Sequence, residues 1–226
     1  YRWENESAAA PTLAYSGTPL AGARLGDTFD AIGSGADTRL LAGYSANPDV
    51  AGNNSFALFD TTDGENFTAT HIDVAGTPPA AGDFRLGITF RDSDTVLGTQ
   101  GPFIREVDVS GNTGTLVNSF ITDGSTLRPM DFAVVDGRPI LAIQEASNAP
   151  DGRARIFVYD LSLGLADEEL ADRKIAEASA LPAGTFQQAN INGTGQVRFG
   201  AIDGRTAIIY GLSTNNGIQA FELTLD

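Results

Sequence analysis

A chain of 226 residues with 42% apolar content can fill the core of one large domain. Against 14 Lys and Arg stand 29 Asp and Glu, a formal net charge of -15, and such a surface repels phosphate backbones and anionic lipid, which makes nucleic acid a poor partner. No apolar stretch approaches the roughly 20 residues that span a bilayer, and the absence of cysteine removes disulfides, thiolate metal sites and a thiol nucleophile.

Glycine and proline are spread along the whole length, so many short elements joined by turns are expected. The chain opens on YRWENES from Tyr1, the first of five segments in which an aromatic or aliphatic residue is followed by an acid. An inner hairpin follows in TFDAIGSGADTRLLAGYS from Thr28, then the second copy, FALFDTT from Phe56, and an outer strand in FTATHIDV from Phe67. The order repeats as RLGITFRDSDTVLGTQ from Arg85, IREVDVS from Ile104 and TGTLVNSFI from Thr113. MDFAVVDGRPILAI from Met130 leads to IFVYDLS at Ile156, and VRFGAIDGRTAIIY from Val197 leads to IQAFELT at Ile218. Asp136-Gly137 and Asp203-Gly204 mark two hairpin tips, since Asp-Gly favours the two positive φ angles of a type I′ turn. The stretch from Leu163 to Ala178 divides evenly between a short helix and a loop running into an outer strand.

The acids of the five copies, Glu4, Asp60, Asp108, Asp160 and Glu222, lie 56, 48, 52 and 62 residues apart. That is the spacing of four-stranded antiparallel blades, so the expected fold is all-β, a β-propeller of about 50 residues per blade. The blades divide as residues 21–76, 77–124, 125–183 and 184–226, the last without its outer strand, after a partial blade at 1–20. The first copy starts inside a third-strand motif, which favours a larger propeller over a four-bladed ring closed by residues 11–16 on the last blade. In either case Trp3, Phe59, Val107, Tyr159 and Phe221 should be equivalent and buried between sheets.

YRWENESAAAPT, followed by LGDTFDAIGSGADTRLLAG from Leu25 to Gly43, resembles a bacterial family of secreted propeller-like domains of unknown function. The resemblance implies a secreted or cell-surface bacterial protein and carries no catalytic assignment.

Catalytic motifs are scarce. The single histidine, His71, falls on an outer strand and cannot build a multi-histidine zinc site. The Gly-rich pieces at Gly33 and Gly111 lack the ending of a phosphate-binding loop, and the DSD at Asp92 lacks the glycine and distal glutamate of a calcium loop. What remains is the mouth of the propeller, where Asp27, Thr28, Asp83, Arg85, Arg128, Asp131 and Arg198 lie at or just before the inner strands. Aligning the copies puts Thr28, Arg85, Asp131 and Arg198 in one row, with Phe132 and Phe199 turned to the opposite face. The reading is an extracellular binding or scaffolding module for a small molecule, glycan or protein. The alternative is a propeller hydrolase or lactonase with calcium as cofactor on Asp27, Asp83 and Asp131.

Overall fold

The protein is described by a computed structural model covering residues 1–3, 5, 7, 10–44, 54–75, 84–122, 127–145, 155–163, 170–178, 194–214 and 216–226. Short runs of β-branched and aromatic residues bounded by Gly, Asn and Asp produce strands throughout. Among the described residues there are fifteen strands and no α-helix.

The strands fall into successive antiparallel meanders. The first comprises β1 (Leu25–Ile32), β2 (Arg39–Tyr44), β3 (Ser55–Thr61) and β4 (Phe67–Ala75), and the second β5 (Ile88–Phe90), β6 (Thr95–Gln100), β7 (Phe103–Asp108) and β8 (Gly114–Ile121). The third holds β9 (Leu127–Val135), β10 (Arg138–Glu145), β11 (Ile156–Asp160) and β12 (Lys174–Ala178). The fourth has β13 (Gly195–Asp203), β14 (Thr206–Ser213) and β15 (Gly217–Thr224). A short parallel pairing of Val74 with Gly114 and Ala75 with Thr115 joins β4 to β8, so the first two meanders make one eight-stranded sheet. The first strands touch in sequence, β1 with β5, β5 with β9 and β9 with β13. This arrangement is propeller-like.

Apolar side chains at alternate positions fill the spaces between meanders. Phe56, Leu58, Ile72 and Phe84 close the first space, Phe120, Leu141, Ile143, Phe157 and Tyr159 the second, and Ile140, Ile156, Val158, Val197 and Ile209 the third. Four of the five aromatic-acid copies supply third strands, β3, β7, β11 and β15. Val107 and Tyr159 are buried between meanders as expected; Phe59 is buried instead beneath Tyr15 and Leu20 of the N-terminal segment, and Phe221 on the edge strand β15 is only half-buried.

The first copy departs from the expectation. Tyr1–Trp3 forms no strand, only a bridge from Arg2 to Thr12, and Trp3 is 55% exposed. Residues 11–16 lie on the first meander, not the last: Phe67 donates its N–H to the Ala14 carbonyl at 3.0 Å, and the Tyr15 ring meets Phe59 edge-on at 5.0 Å.

The repeated acid has a structural role that its spacing alone does not disclose. At the end of β7, one carboxylate oxygen of Asp108 accepts the N–H and hydroxyl of Ser110, and Asp160 does the same with Ser162 at the end of β11. Such turns end the third strand and redirect the chain. Asp160 also binds Arg138, and Asp60 binds Arg39, so a second-strand arginine fastens the third-strand acid in two meanders.

The two Asp-Gly hairpins differ. Asp136 and Gly137 have φ of 51° and 74° between the paired residues Val135 and Arg138, the type I′ arrangement. In the fourth meander a register shift between Phe199 and Ile202 moves the turn by one residue, so Asp203 pairs with Thr206 and the central positions are Gly204 and Arg205. Only Gly204 takes a positive φ there, 55°, as in a type II′ turn. Between Leu163 and Ala178 the loop-and-strand alternative is correct for the described residues: a 3-10 turn at Leu170–Arg173 runs directly into β12.

Candidate functional site

The register across each meander identifies which first-strand positions are equivalent. Asp30 pairs with Leu41 and Leu41 with Leu58, two residues before Asp60; Thr89 pairs with Leu97 and Leu97 with Glu106, two before Asp108. Likewise Asp131 pairs with Ala142 and Ala142 with Val158, two before Asp160, while Arg198 pairs with Tyr210 and Tyr210 with Ala220, two before Glu222. The axial row is therefore Asp30, Thr89, Asp131 and Arg198. The sequence alignment is correct for the last two, but Asp30 stands where Thr28 is expected and Thr89 where Arg85 is expected. The longer hairpins of the first two meanders displaced the count.

These four side chains bind one another. Arg198 Nη1 donates to Asp30 Oδ1 at 2.5 Å and to Asp131 Oδ1 at 3.0 Å, and its Nη2 donates to the Phe29 carbonyl at 3.1 Å. Thr89 Oγ1 donates to Asp30 Oδ2 at 2.8 Å and lies 3.5 Å from Asp131 Oδ1. The remaining carboxylate capacity takes backbone: Phe90 N–H donates to Asp30 Oδ2 and Phe199 N–H to Asp131 Oδ2, each at 2.7 Å. Thus the acids of the first and third meanders each hold the backbone of the next inner strand. Burial, reinforced by the negative charge of Asp30, raises the Asp131 carboxyl above its ordinary value despite the Phe199 N–H and Arg198. Burial opposes the charge of Arg198, but the two carboxylates outweigh it and its guanidinium is held more firmly protonated than usual.

A second cluster lies at the start of the inner strands. Asp27 Oδ2 accepts from Arg85 Nη2 at 2.9 Å and Nε at 3.1 Å, and Asp27 Oδ1 accepts from Arg24 Nη1 at 3.1 Å. Burial would raise the Asp27 carboxyl, but these two guanidiniums hold it below its ordinary value. Thr28 turns its hydroxyl to the Arg85 carbonyl at 2.7 Å and is buried. Arg128, the second residue of β9, is half-buried, and its guanidinium is made less basic by burial and by the like charge of Arg85. Arg24 and Arg85 thus share the carboxylate of Asp27, and Arg128 lies near enough to Arg85 to feel its charge.

The structure therefore divides the expected site residues between two places. Asp27, Thr28, Arg85 and Arg128 lie at or just before the starts of the first strands, and Asp131 and Arg198 in the row with Asp30 and Thr89; Asp83 lies outside the described residues. Asp30, Thr89 and Arg24 were missed. The signal for the first two is a shared apolar-polar-apolar triplet, Phe29-Asp30-Ala31, Ile88-Thr89-Phe90, Met130-Asp131-Phe132 and Val197-Arg198-Phe199. As for calcium, the oxygens of Asp27 and Asp131 are engaged by arginines in separate clusters, and among the described residues no three His, Cys, Asp or Glu side chains gather around one point.

No family model and no curated protein matches this chain. Its fold is shared with the crystal structure of a DUF4623 family protein from Bacteroides eggerthii, at a TM-score of 0.62 and 13% identity, covering 92% of this chain and 48% of that one. Weaker likenesses, at TM-scores of 0.41 and 0.40, connect it to the WD40 domain of SCAP from fission yeast (9% identity, 88% of this chain and 52% of that one) and to Hsv2 of Kluyveromyces lactis (12% identity, 85% and 59%). The chain spans about half the length of the solved structures it matches.

Proposed function

We propose that residues 1–226 are successive blades of a larger propeller, three of four strands and one of three, in an exported bacterial binding or scaffolding module that takes an anionic ligand at its mouth. One observation supports the ligand class: the guanidiniums of Arg24 and Arg85 meet at Asp27 with the half-buried Arg128 close enough to Arg85 to be made less basic by its charge, while Arg198 is bonded to Asp30 and Asp131. Guanidiniums match carboxylates and sulfates in a planar, bidentate way, and an acidic surrounding surface rejects anions that do not reach the mouth. A carboxylated or sulfated glycan, or an acidic peptide, fits that chemistry. The calcium-dependent hydrolase is not favoured, since two of its three ligands are committed to arginines and to different clusters.

The test is titration calorimetry at low salt with polygalacturonate, dextran sulfate and neutral dextran as probes. Binding of an acidic polymer but not of neutral dextran, weakened tenfold or more in Arg85→Ala/Arg128→Ala and by added salt, supports the reading. Absence of binding to every anion, or binding untouched by the double substitution, overturns it.

A further inference from the structure

The two faces of the first meander meet different neighbours. Strand alternation turns Leu41, Phe56, Leu58 and Ile72 toward the second meander, and Ala42, Ala57 and Phe59 toward the N-terminal segment, which lays Tyr15, Leu20 and Ala23 against them. The segment is fastened there by the paired backbones of Arg2 and Thr12 and by the Phe67 N–H on the Ala14 carbonyl. It does not cover the whole face. Between segment and sheet a cavity of about 560 Å³ remains, within the range of about 300–1,000 Å³ usual for small-molecule sites.

The wall of this cavity is made of rings and aliphatic groups, Tyr15, Phe29, Leu40, Phe59 and Phe67, and Phe29 is 50% exposed, so the cavity opens to solvent. One end is preformed backbone. Gly64, at φ 74°, lies so close to Gly35 that a Cβ on it would come within 2.8 Å of the Gly35 carbonyl carbon. The Asp63 carboxylate fixes that turn by accepting the Thr61 hydroxyl and the N–H groups of Glu65 and Asn66. Among the described residues that line the cavity, Arg2 is the one charged side chain. Its partner Glu65 is 3.6 Å away and both side chains are exposed, a surface pair that contributes little and yields readily to a better acceptor.

We infer that this cavity is a ligand site separate from the Asp27 cluster, and that it takes a flat aromatic body carrying one anionic group. The wall receives a ring by offset or edge-to-face contact, as Tyr15 already meets Phe59. Arg2 supplies the charge complement, and a carboxylate or sulfonate can draw its guanidinium from Glu65 with two parallel hydrogen bonds. The acidic balance of the chain disfavours anions elsewhere, so recognition requires the apolar body to be seated. The inference does not rest on the anionic ligand proposed for the mouth.

Fluorescence titration of the full natural protein with anilinonaphthalene sulfonate, beside phenylnaphthylamine, which has the same rings and no charge, tests it. One saturable site is expected, about fivefold or more tighter for the sulfonate. Arg2→Ala should remove that preference and leave the neutral probe bound, whereas Phe29→Ala should weaken both probes. Both side chains are partly exposed, so neither change is expected to unfold the protein, and the comparison of two probes on the wild type needs no variant. No saturable binding, equal affinity for the two probes, or a preference that survives Arg2→Ala overturns the inference. Loss of sulfonate binding in Arg85→Ala/Arg128→Ala also overturns it, since the probe would then sit at the mouth. Sulfonate binding kept in that double variant, with no acidic polymer bound by the wild type, would leave the cavity standing and the mouth reading overturned.

Discussion

The axial row and the mouth use the same residue types to opposite effect. In the row, one arginine serves two carboxylates that also hold the backbone N–H groups of Phe90 and Phe199, so the charges are part of how neighbouring inner strands are joined. At the start of the inner strands, Arg24 and Arg85 share the Asp27 carboxylate with side chains 62% and 30% exposed. Charge in an inner strand is therefore not a marker of ligand contact. What separates the two roles is whether the carboxylates also hold the backbone of the next meander or pair only with arginines nearer to solvent.

Substitutions should separate them in order of cost. Asp131→Ala orphans the Phe199 N–H and removes one partner of Arg198; we expect a loss of about 2–4 kcal/mol, somewhat less than for a fully buried pair because Arg198 keeps Asp30 and solvent. Urea denaturation measures it, and a loss under 1 kcal/mol would put Asp131 with the mouth residues instead. Phe132→Ala should cost about 2–3 kcal/mol, at the low end for an aromatic truncation, because Phe132 is packed against the second apolar cluster but only partly buried. Losses at Asp131 and at Phe132 should therefore be comparable.

The pH dependence should differ in sign between the regions. The Asp131 carboxyl is raised in the fold, so its ionisation opposes folding, and the wild type should gain stability relative to Asp131→Asn as pH falls through the raised value. The Asp27 carboxyl is lowered, so its contribution is present above the ordinary carboxylate value of about 4 and is lost as pH falls below it. Stability curves of Asp131→Asn and Asp27→Asn between pH 3 and 7, each subtracted from wild type, should slope in opposite directions; parallel slopes would remove the distinction. Smallest is Arg85→Ala, at about 1 kcal/mol or less for a partly exposed pair, with its main effect on anion binding.

The strands and their order were legible because hairpin pairs, alternation and the third-strand acid recur in the chain. Asp131 and Arg198 were legible because their two hairpins align without gaps, from Met130 and from Val197. Thr28 and Arg85 were assigned to the row because hairpins of unequal length, one containing the 3-10 turn at Gly35–Asp37, hide the offset that only strand register reveals. Trp3 misled because a motif states what a side chain does when a sheet is present, not that one is.

The parallel pairing of Val74–Ala75 with Gly114–Thr115 has a mechanical meaning. It clips the first two meanders at their outer edges as well as through the apolar layer between them, so that pair resists splaying like a plate riveted at both margins. The seam between the second and third meanders has no such strand pairing among the described residues and depends on side chains such as Phe120, Phe157 and the Arg173 guanidinium over the Phe120 ring. Under load, or when the inner strands yield to a ligand, the structure should flex at the seams without a strand pairing before it opens between the first two meanders.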